Sequence, residues 1–376
     1  MNAIKTILIS KPALPYSKIA SWSNMYNYLL LEKEHPFDYI ICRKGDIEAD
    51  NVIYNYRREP KLIDKVKMKF VDKQKKYSNY IESLEQIIEP NTKYILHIID
   101  NSGIVEPIDK YLKKSHNRAN FYIQYYYQGF GPLFKKEKAT PFLYAIDEMF
   151  FLTELSYKAY KDFYSDTTYR ARVLHNATNS NRFKRISKEQ KTEIRMAQGQ
   201  SKDDFIFMWC SQDRPKKGLH IVLEAFRTVK KQHPKAKLLV IGITKDINQD
   251  GVEVIGRVPN NELSKFYQMA DVYVFPSLWK EGFGIVLAEA LKCGCYCIAS
   301  AQGGIPEVMG YGKYGVLIDN PNMVHNWVNE MNLSIEKLTN GNPFLTQIPE
   351  DIYDVDAWSV KLGEYINEAK IALQNV

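Results

Sequence analysis

Two glutamates, Glu281 and Glu289, flank the turn Gly282-Phe283-Gly284 and the opening of an apolar run, IVLAEAL (285–291). Glycines favour a turn here, so the pattern predicts a helix that starts near Gly284. It should close at Cys293-Gly294, where glycine suits the residue after a helix end. Six of the seven residues 285–291 are apolar, which predicts burial nearly all round. A carboxylate in that setting is costly unless it is paired or hydrogen-bonded. Glu289 therefore either bonds a neighbouring protein group or holds hydroxyls of a ligand. Eight helical residues rise about 12 Å, whereas the two carboxyls of a glycosidase stand roughly 5 to 9.5 Å apart. The pair is thus not expected to act as acid and nucleophile on one bond. It suits two ends of one extended ligand. Between the two lie the unpaired N–H groups of a helix start, which favour phosphate. A diphosphate with a sugar on one side and a ribose on the other fits that layout.

Such a layout needs a rigid platform, and the second half of the chain predicts one. Strand-like runs at 205–211, 237–242, 271–277, 295–300 and 315–319 alternate with helical patterns at 218–232, 260–269, 284–293 and 305–310. This alternation predicts a doubly wound parallel sheet, with ligands outside the carboxyl ends of its strands. In the first half, strand candidates fall at 6–10, 38–42, 94–99, 121–127 and 148–153, with a last strand and exit loop at 171–178. The polar stretch 179–204 reads as a linker with a short helix at 187–198. No repeat of fixed period is present. A chain of 376 residues is too long for one ordinary core and predicts two domains.

The hydrophobic fraction of 45% and charged fraction of 25% are those of a soluble globular protein. No apolar run approaches the roughly 20 residues of a membrane helix. The apolar N-terminal stretch ends at Lys11-Pro12 without a small-residue cleavage site, so it reads as a first strand rather than a signal peptide. A cytoplasmic location is the resulting expectation. Three of the five cysteines fall in CGCYC (293–297). That spacing lacks the pattern of a zinc site, so they read as small buried hydrophobes. The net charge of +7 is concentrated between Arg57 and Lys76, with nine basic residues against three acidic. The segment is either a solvated face or a contact for an anionic membrane surface. No nucleic-acid motif accompanies it, so nucleic acid is not expected as a partner.

The span from Glu281 to Glu289 resembles the E-x7-E motif of retaining GT-B glycosyltransferases of family 4, the glycosyl transferases group 1. The surrounding DVYVFPSLWKEGFGIVLAEAL (271–291) is similar to that family's strand, Pro-Ser turn, Glu-Gly-Phe-Gly and helix. CGCYCIASAQGGIPEVMG (293–310), GRVPNNELSKFYQMA (256–270), SQDRPKKGLHIVLEAF (211–226) and VLHNATNSNRF (173–183) resemble further family segments in the family's order. The resemblance is strong over roughly 171–320 and weak before it.

The resemblance implies an α/β GT-B fold, two Rossmann-like domains facing across a cleft. An acceptor-side domain would span 1–178, a nucleotide-sugar domain 179–355, and a helix at 356–376 would cross back to the first. Glu281 would meet the donor sugar. The turn Gly282-Phe283-Gly284 and Ile285 would hold sugar and phosphate through backbone amides. Lys217 would sit on the diphosphate, Glu289 on the ribose hydroxyls, and Arg257 and Val258 at the base. The implied donor is a UDP- or GDP-sugar, with no metal or other cofactor. The one Asp-x-Asp, Asp354-Val355-Asp356, precedes the last helix rather than following a strand. The implied acceptor is a bacterial surface glycan or a lipid-linked one, reached at the inner membrane face.

Three features depart from the family pattern. Cys210-Ser211-Gln212 stands where Gly-Arg is usual, which leaves Arg214 as the substitute cation. The first loop, 11–24, contains no glycine. The histidine expected near the donor sugar falls to His97, with Asp100 beside it, or is replaced by Gln128. Two rivals follow. A non-catalytic module of the same fold would bind nucleotide sugar or glycan without turnover. A glycan phosphorylase would need a pyridoxal-phosphate lysine and a longer chain.

Overall fold

The computed structural model describes residues 3–16, 22–58, 77–165 and 167–375. Residues 59–76 of the basic segment, and 17–21 of the glycine-free loop, lie outside the described residues. The chain divides into two units, Met1–His175 with Asp356–Val376, and Asn176–Val355.

The first unit is built on strands β1 (Ile4–Ile9), β2 (Tyr39–Cys42), β3 (Ile53–Tyr56), β4 (Lys93–Ile99), β5 (Phe121–Tyr126), β6 (Glu148–Phe151) and β7 (Arg170–Val173). They form a parallel sheet in the order β3-β2-β1-β4-β5-β6-β7. The central strands are apolar on both faces because helices cover both. Thus Ile7, Leu8 and Ile9 of β1 are all fully buried. The expected strands recur, and β3 adds one that the sequence reading missed. As an outer strand it is buried on only part of its surface, so IYNY carries no continuous apolar run.

A line of polar side chains crosses this core. His97, Gln124 and Glu148 stand at matching register on β4, β5 and β6. Gln124 donates to Glu148 at 2.7 Å, which turns its carbonyl oxygen toward His97 Nδ1 at 3.1 Å. His97 must therefore carry its proton on Nδ1, and its Nε2 accepts from the Tyr26 hydroxyl at 2.8 Å. Glu148 also accepts from Arg172 Nε at 2.9 Å, and Arg172 pairs in turn with Glu368. The helix Val355–Gln374 supplies Glu368, and its Tyr365 ring lies 4.4 Å from the Arg172 guanidinium. Polar groups this deep are tolerated because each has a partner.

The second unit holds β8 (Phe205–Cys210), β9 (Ala236–Ile241), β10 (Val252–Gly256), β11 (Val272–Phe275), β12 (Tyr296–Ser300) and β13 (Val316–Ile318), all parallel. Their order is β10-β9-β8-β11-β12-β13. The edge strand β10 was also missed, for the same reason as β3. The polar stretch 179–204 is part of this unit and carries the short helix expected there. Its helix Lys188–Ala197 is opened by reciprocal caps between Ser187 and Gln190. Its cations are held against Asp271, Lys191 at 2.8 Å and Arg195 at 2.6 Å. Charge that looked like solvent-facing linker is thus half-buried or buried ion-pair chemistry. All five cysteines are free and buried, and Gly294 ends the helix before β12 with φ +83°.

Candidate active site

The second sheet grows outward in opposite directions from β8 and β11, and crevices for ligands form where strand order reverses in this way. Lys217 lies in the turn after β8, and Glu281 follows β11. The two turns are tied together. Leu278 N–H donates to the Lys216 carbonyl at 2.8 Å, and the Trp209 indole donates to the Lys217 carbonyl at 3.2 Å. Gly218 has φ +71°, and a side chain there would overlap the Pro276 carbonyl, so only glycine lets the turns approach. From the other side, Gly304 N–H donates to the Glu281 carbonyl at 2.8 Å.

These contacts place Lys217 Nζ 2.6 Å from Glu281 Oε1, with side-chain exposures of 22% and 14%. The Ser277 hydroxyl meets the same carboxylate oxygen at 2.6 Å. Beside them, Lys216 Nζ sits 4.5 Å from the exposed Trp279 ring. The helix Ile285–Lys292 begins after Gly284, whose φ is +77°. The amides of Gly284 and Ile285 donate to no group among the described residues, as expected of a helix start. Phe283 is buried and meets Tyr353 edge-on at 5.0 Å, so its ring anchors the turn.

Glu289 is 3% exposed and accepts from the Tyr267 hydroxyl at 3.1 Å. Burial pushes its carboxyl up to about 8, against the opposing pull of Tyr267 and the Arg182 charge. Arg182 itself donates to Asn260 at 2.8 Å. The 12 Å rise does not apply, because only the four steps from Ile285 to Glu289 are helical. Arg257 is exposed and Val258 half-buried, both just beyond the edge strand β10. Arg214 is exposed and makes no ion pair among the described residues. Also among these residues, no group of three or more His, Cys, Asp or Glu could hold a metal ion.

Residues 190–339 match the family described as Glycosyl transferases group 1. The match covers 150 of the 376 residues, so the chain is similar to this family over less than half of its length. An uncharacterized glycosyltransferase of Methanocaldococcus jannaschii is 26% identical over 223 residues, 54% of this chain and 55% of that protein. The match thus spans about half the length of this relative. The sucrose-phosphate synthase of Thermosynechococcus elongatus superposes with a TM-score of 0.75 at 16% identity, over 99% of this chain and all of that one. Anabaena HepE, solved in complex with UDP, gives 0.72 at 13% identity, over 97% of this chain and 100% of that one. Likenesses at that identity are of fold, and the fold is GT-B.

The site residues divide unevenly. Lys217, Glu281, Gly284 and Ile285 gather at one strand-order reversal. His97 does not belong with them. It is fully buried inside the first sheet with both ring nitrogens bonded, and burial lowers it to about 4. The expectation of a donor-facing histidine is corrected to a core histidine. Its strand is apolar on both sides, so only the partners on β5 and β6 reveal why a histidine stands there. Three residues were missed: Ser277, Tyr267 and Arg182. Ser277 carried a signal as the serine of the Pro-Ser turn. Tyr267 looked like helix core, and Arg182 like linker charge.

Proposed function

We propose that the protein is a retaining glycosyltransferase of hexosyl type, which moves a sugar from a UDP- or GDP-sugar to a glycan or lipid-linked acceptor. The observation that carries this reading is the meeting of Lys217 and Glu281 at the strand-order reversal, beside the free amides of a helix start. A diphosphate suits those amides and Lys217. The carboxylate of Glu281 suits a hydroxyl of the donor sugar. Glu289 suits the ribose hydroxyls, a second use for a carboxyl that Tyr267 already holds. HepE's complex with UDP supports a uridine donor.

In the reaction, the acceptor oxygen bonds to the anomeric carbon on the face that the diphosphate leaves. The electron pair of the broken carbon–oxygen bond goes to the diphosphate, where Lys217 balances the charge. The acceptor proton passes to a departing phosphate oxygen. No protein base has to sit between the two substrates. A surface glycan or lipid-linked glycan is the acceptor that the family resemblance and the basic segment favour.

The test is a donor screen with UDP-, GDP- and ADP-sugars, read as release of the nucleoside diphosphate. Slow hydrolysis of one donor, lost in Glu281→Gln, is the expected result. Tight binding of a nucleotide sugar with no turnover on any acceptor overturns the proposal in favour of a non-catalytic binding module.

A further inference from the structure

We infer that Ser277 is a positioning residue that holds the Glu281 carboxylate in one orientation throughout turnover. The inference rests on the reading of Glu281 as the donor-sugar contact. Ser277 is 1% exposed, directly after Pro276 in the turn that follows β11. Its hydroxyl accepts from the Trp279 N–H at 3.4 Å and stands 2.6 Å from Glu281 Oε1. A hydroxyl has one proton, and of its two acceptors, the Trp279 carbonyl at 3.4 Å and the carboxylate at 2.6 Å, the nearer and charged one takes it, so that proton points at Glu281. The Trp279 N–H therefore aims the serine, and the serine aims the glutamate.

Glu281 Oε1 receives both the Ser277 proton and Lys217 Nζ. Oε2 has no partner among the described residues. One oxygen is thus anchored while the other is left for a ligand hydroxyl. The two anchors differ in what a donor does to them. A diphosphate competes for the Lys217 ammonium and draws it from the carboxylate. Ser277 is buried and uncharged, and its single proton is already given to the carboxylate. It keeps Oε1 in place when Lys217 changes partner. The Glu281 backbone is held by an isolated parallel bridge to Gly303, which leaves the side-chain torsions free, so this bond supplies what the backbone does not.

The experiment uses the full chain and the nucleotide sugar hydrolysed in the donor screen. Ser277→Ala should lower kcat roughly tenfold, the scale set by a reactive contact loosened by less than about 1 Å. The KM for the nucleotide sugar should hold within about twofold, since the lost bond orients a sugar contact and not the diphosphate. Nucleoside diphosphate binding, measured by calorimetry, should also stay within about twofold of wild type, because the lost bond bears on the sugar contact alone. An unchanged kcat in Ser277→Ala overturns the inference. So does a fall in nucleoside diphosphate binding that matches the fall in kcat, which marks a purely structural serine. If the alanine variant does not fold, Ser277→Cys keeps the shape with a weaker donor, and wild-type kcat there overturns the inference equally. A wild-type protein that hydrolyses no nucleotide sugar removes the underlying reading instead, and the two failures are told apart by the wild-type rate alone.

Discussion

The two units share a strand order about their central strands, yet they place their polar residues in opposite ways. In the second unit, ionisable groups sit in the turns beyond the carboxyl ends of β8 and β11, where Lys217 and Glu281 pair. In the first unit, the corresponding ends of β1 and β4 carry Lys11 and Asp100, and the notable polar line lies inside the sheet, from Tyr26 through His97, Gln124 and Glu148 to Arg172. The strand order names a place where a ligand can bind. It does not say whether a polar residue near that place serves the ligand or the core. Burial and partners decide that: one set is partly exposed with an unused oxygen, the other is enclosed and saturated.

The comparison is tested most severely by Glu281→Gln. Transfer should be abolished while nucleotide diphosphate binding, measured by calorimetry, stays within about threefold, because the residue meets the sugar. Full activity would move the chemistry away from this turn. Next in size is Lys217→Ala. Truncating one partner of a desolvated charge pair costs roughly 2–5 kcal/mol. That is at least a roughly 30-fold loss in rate, with weaker diphosphate binding and little change for the nucleoside. Equal losses for nucleoside and diphosphate would point to a damaged fold.

Glu289→Gln sharpens the comparison through pH. The buried carboxyl titrates near 8 in the folded chain against an ordinary value of 4.5. The folded state therefore holds a proton that the unfolded chain releases, and stability is lost as pH rises from about 4.5 through about 8. The glutamine variant lacks this loss. Its melting temperature should gain on wild type across that window, by the equivalent of a few kcal/mol at pH 9. A difference that does not vary with pH would mean that Glu289 is ionised in the free protein.

The smallest effect on turnover is expected for His97→Gln. The folded histidine is neutral down to about 4, whereas an unfolded one gains a proton below about 6.5. Stability is thus present above 6.5 and lost as pH falls toward 4. Glutamine can bond both Tyr26 and Gln124 without titrating, so the variant should lose that slope and keep its turnover. A large fall in kcat would return His97 to the chemistry and erase the contrast between the units.

Much of this protein was legible in the residues because the relevant signals are local. Apolar runs alternating with helical periods specify parallel strands covered on both faces, and Gly282-Phe283-Gly284 before an apolar run specifies a turn and a helix start. Edge strands β3 and β10 escaped notice because half-burial leaves no continuous run. The tertiary structure alone decided the rest. Lys217 and Glu281 are 64 residues apart and meet only because β8 and β11 are neighbours. Tyr267 finds Glu289 across 22 residues, and His97 finds Gln124 across 27. A side chain's charge state and role depend on what surrounds it, and the surroundings come from strand order and register, which no short stretch of sequence encodes.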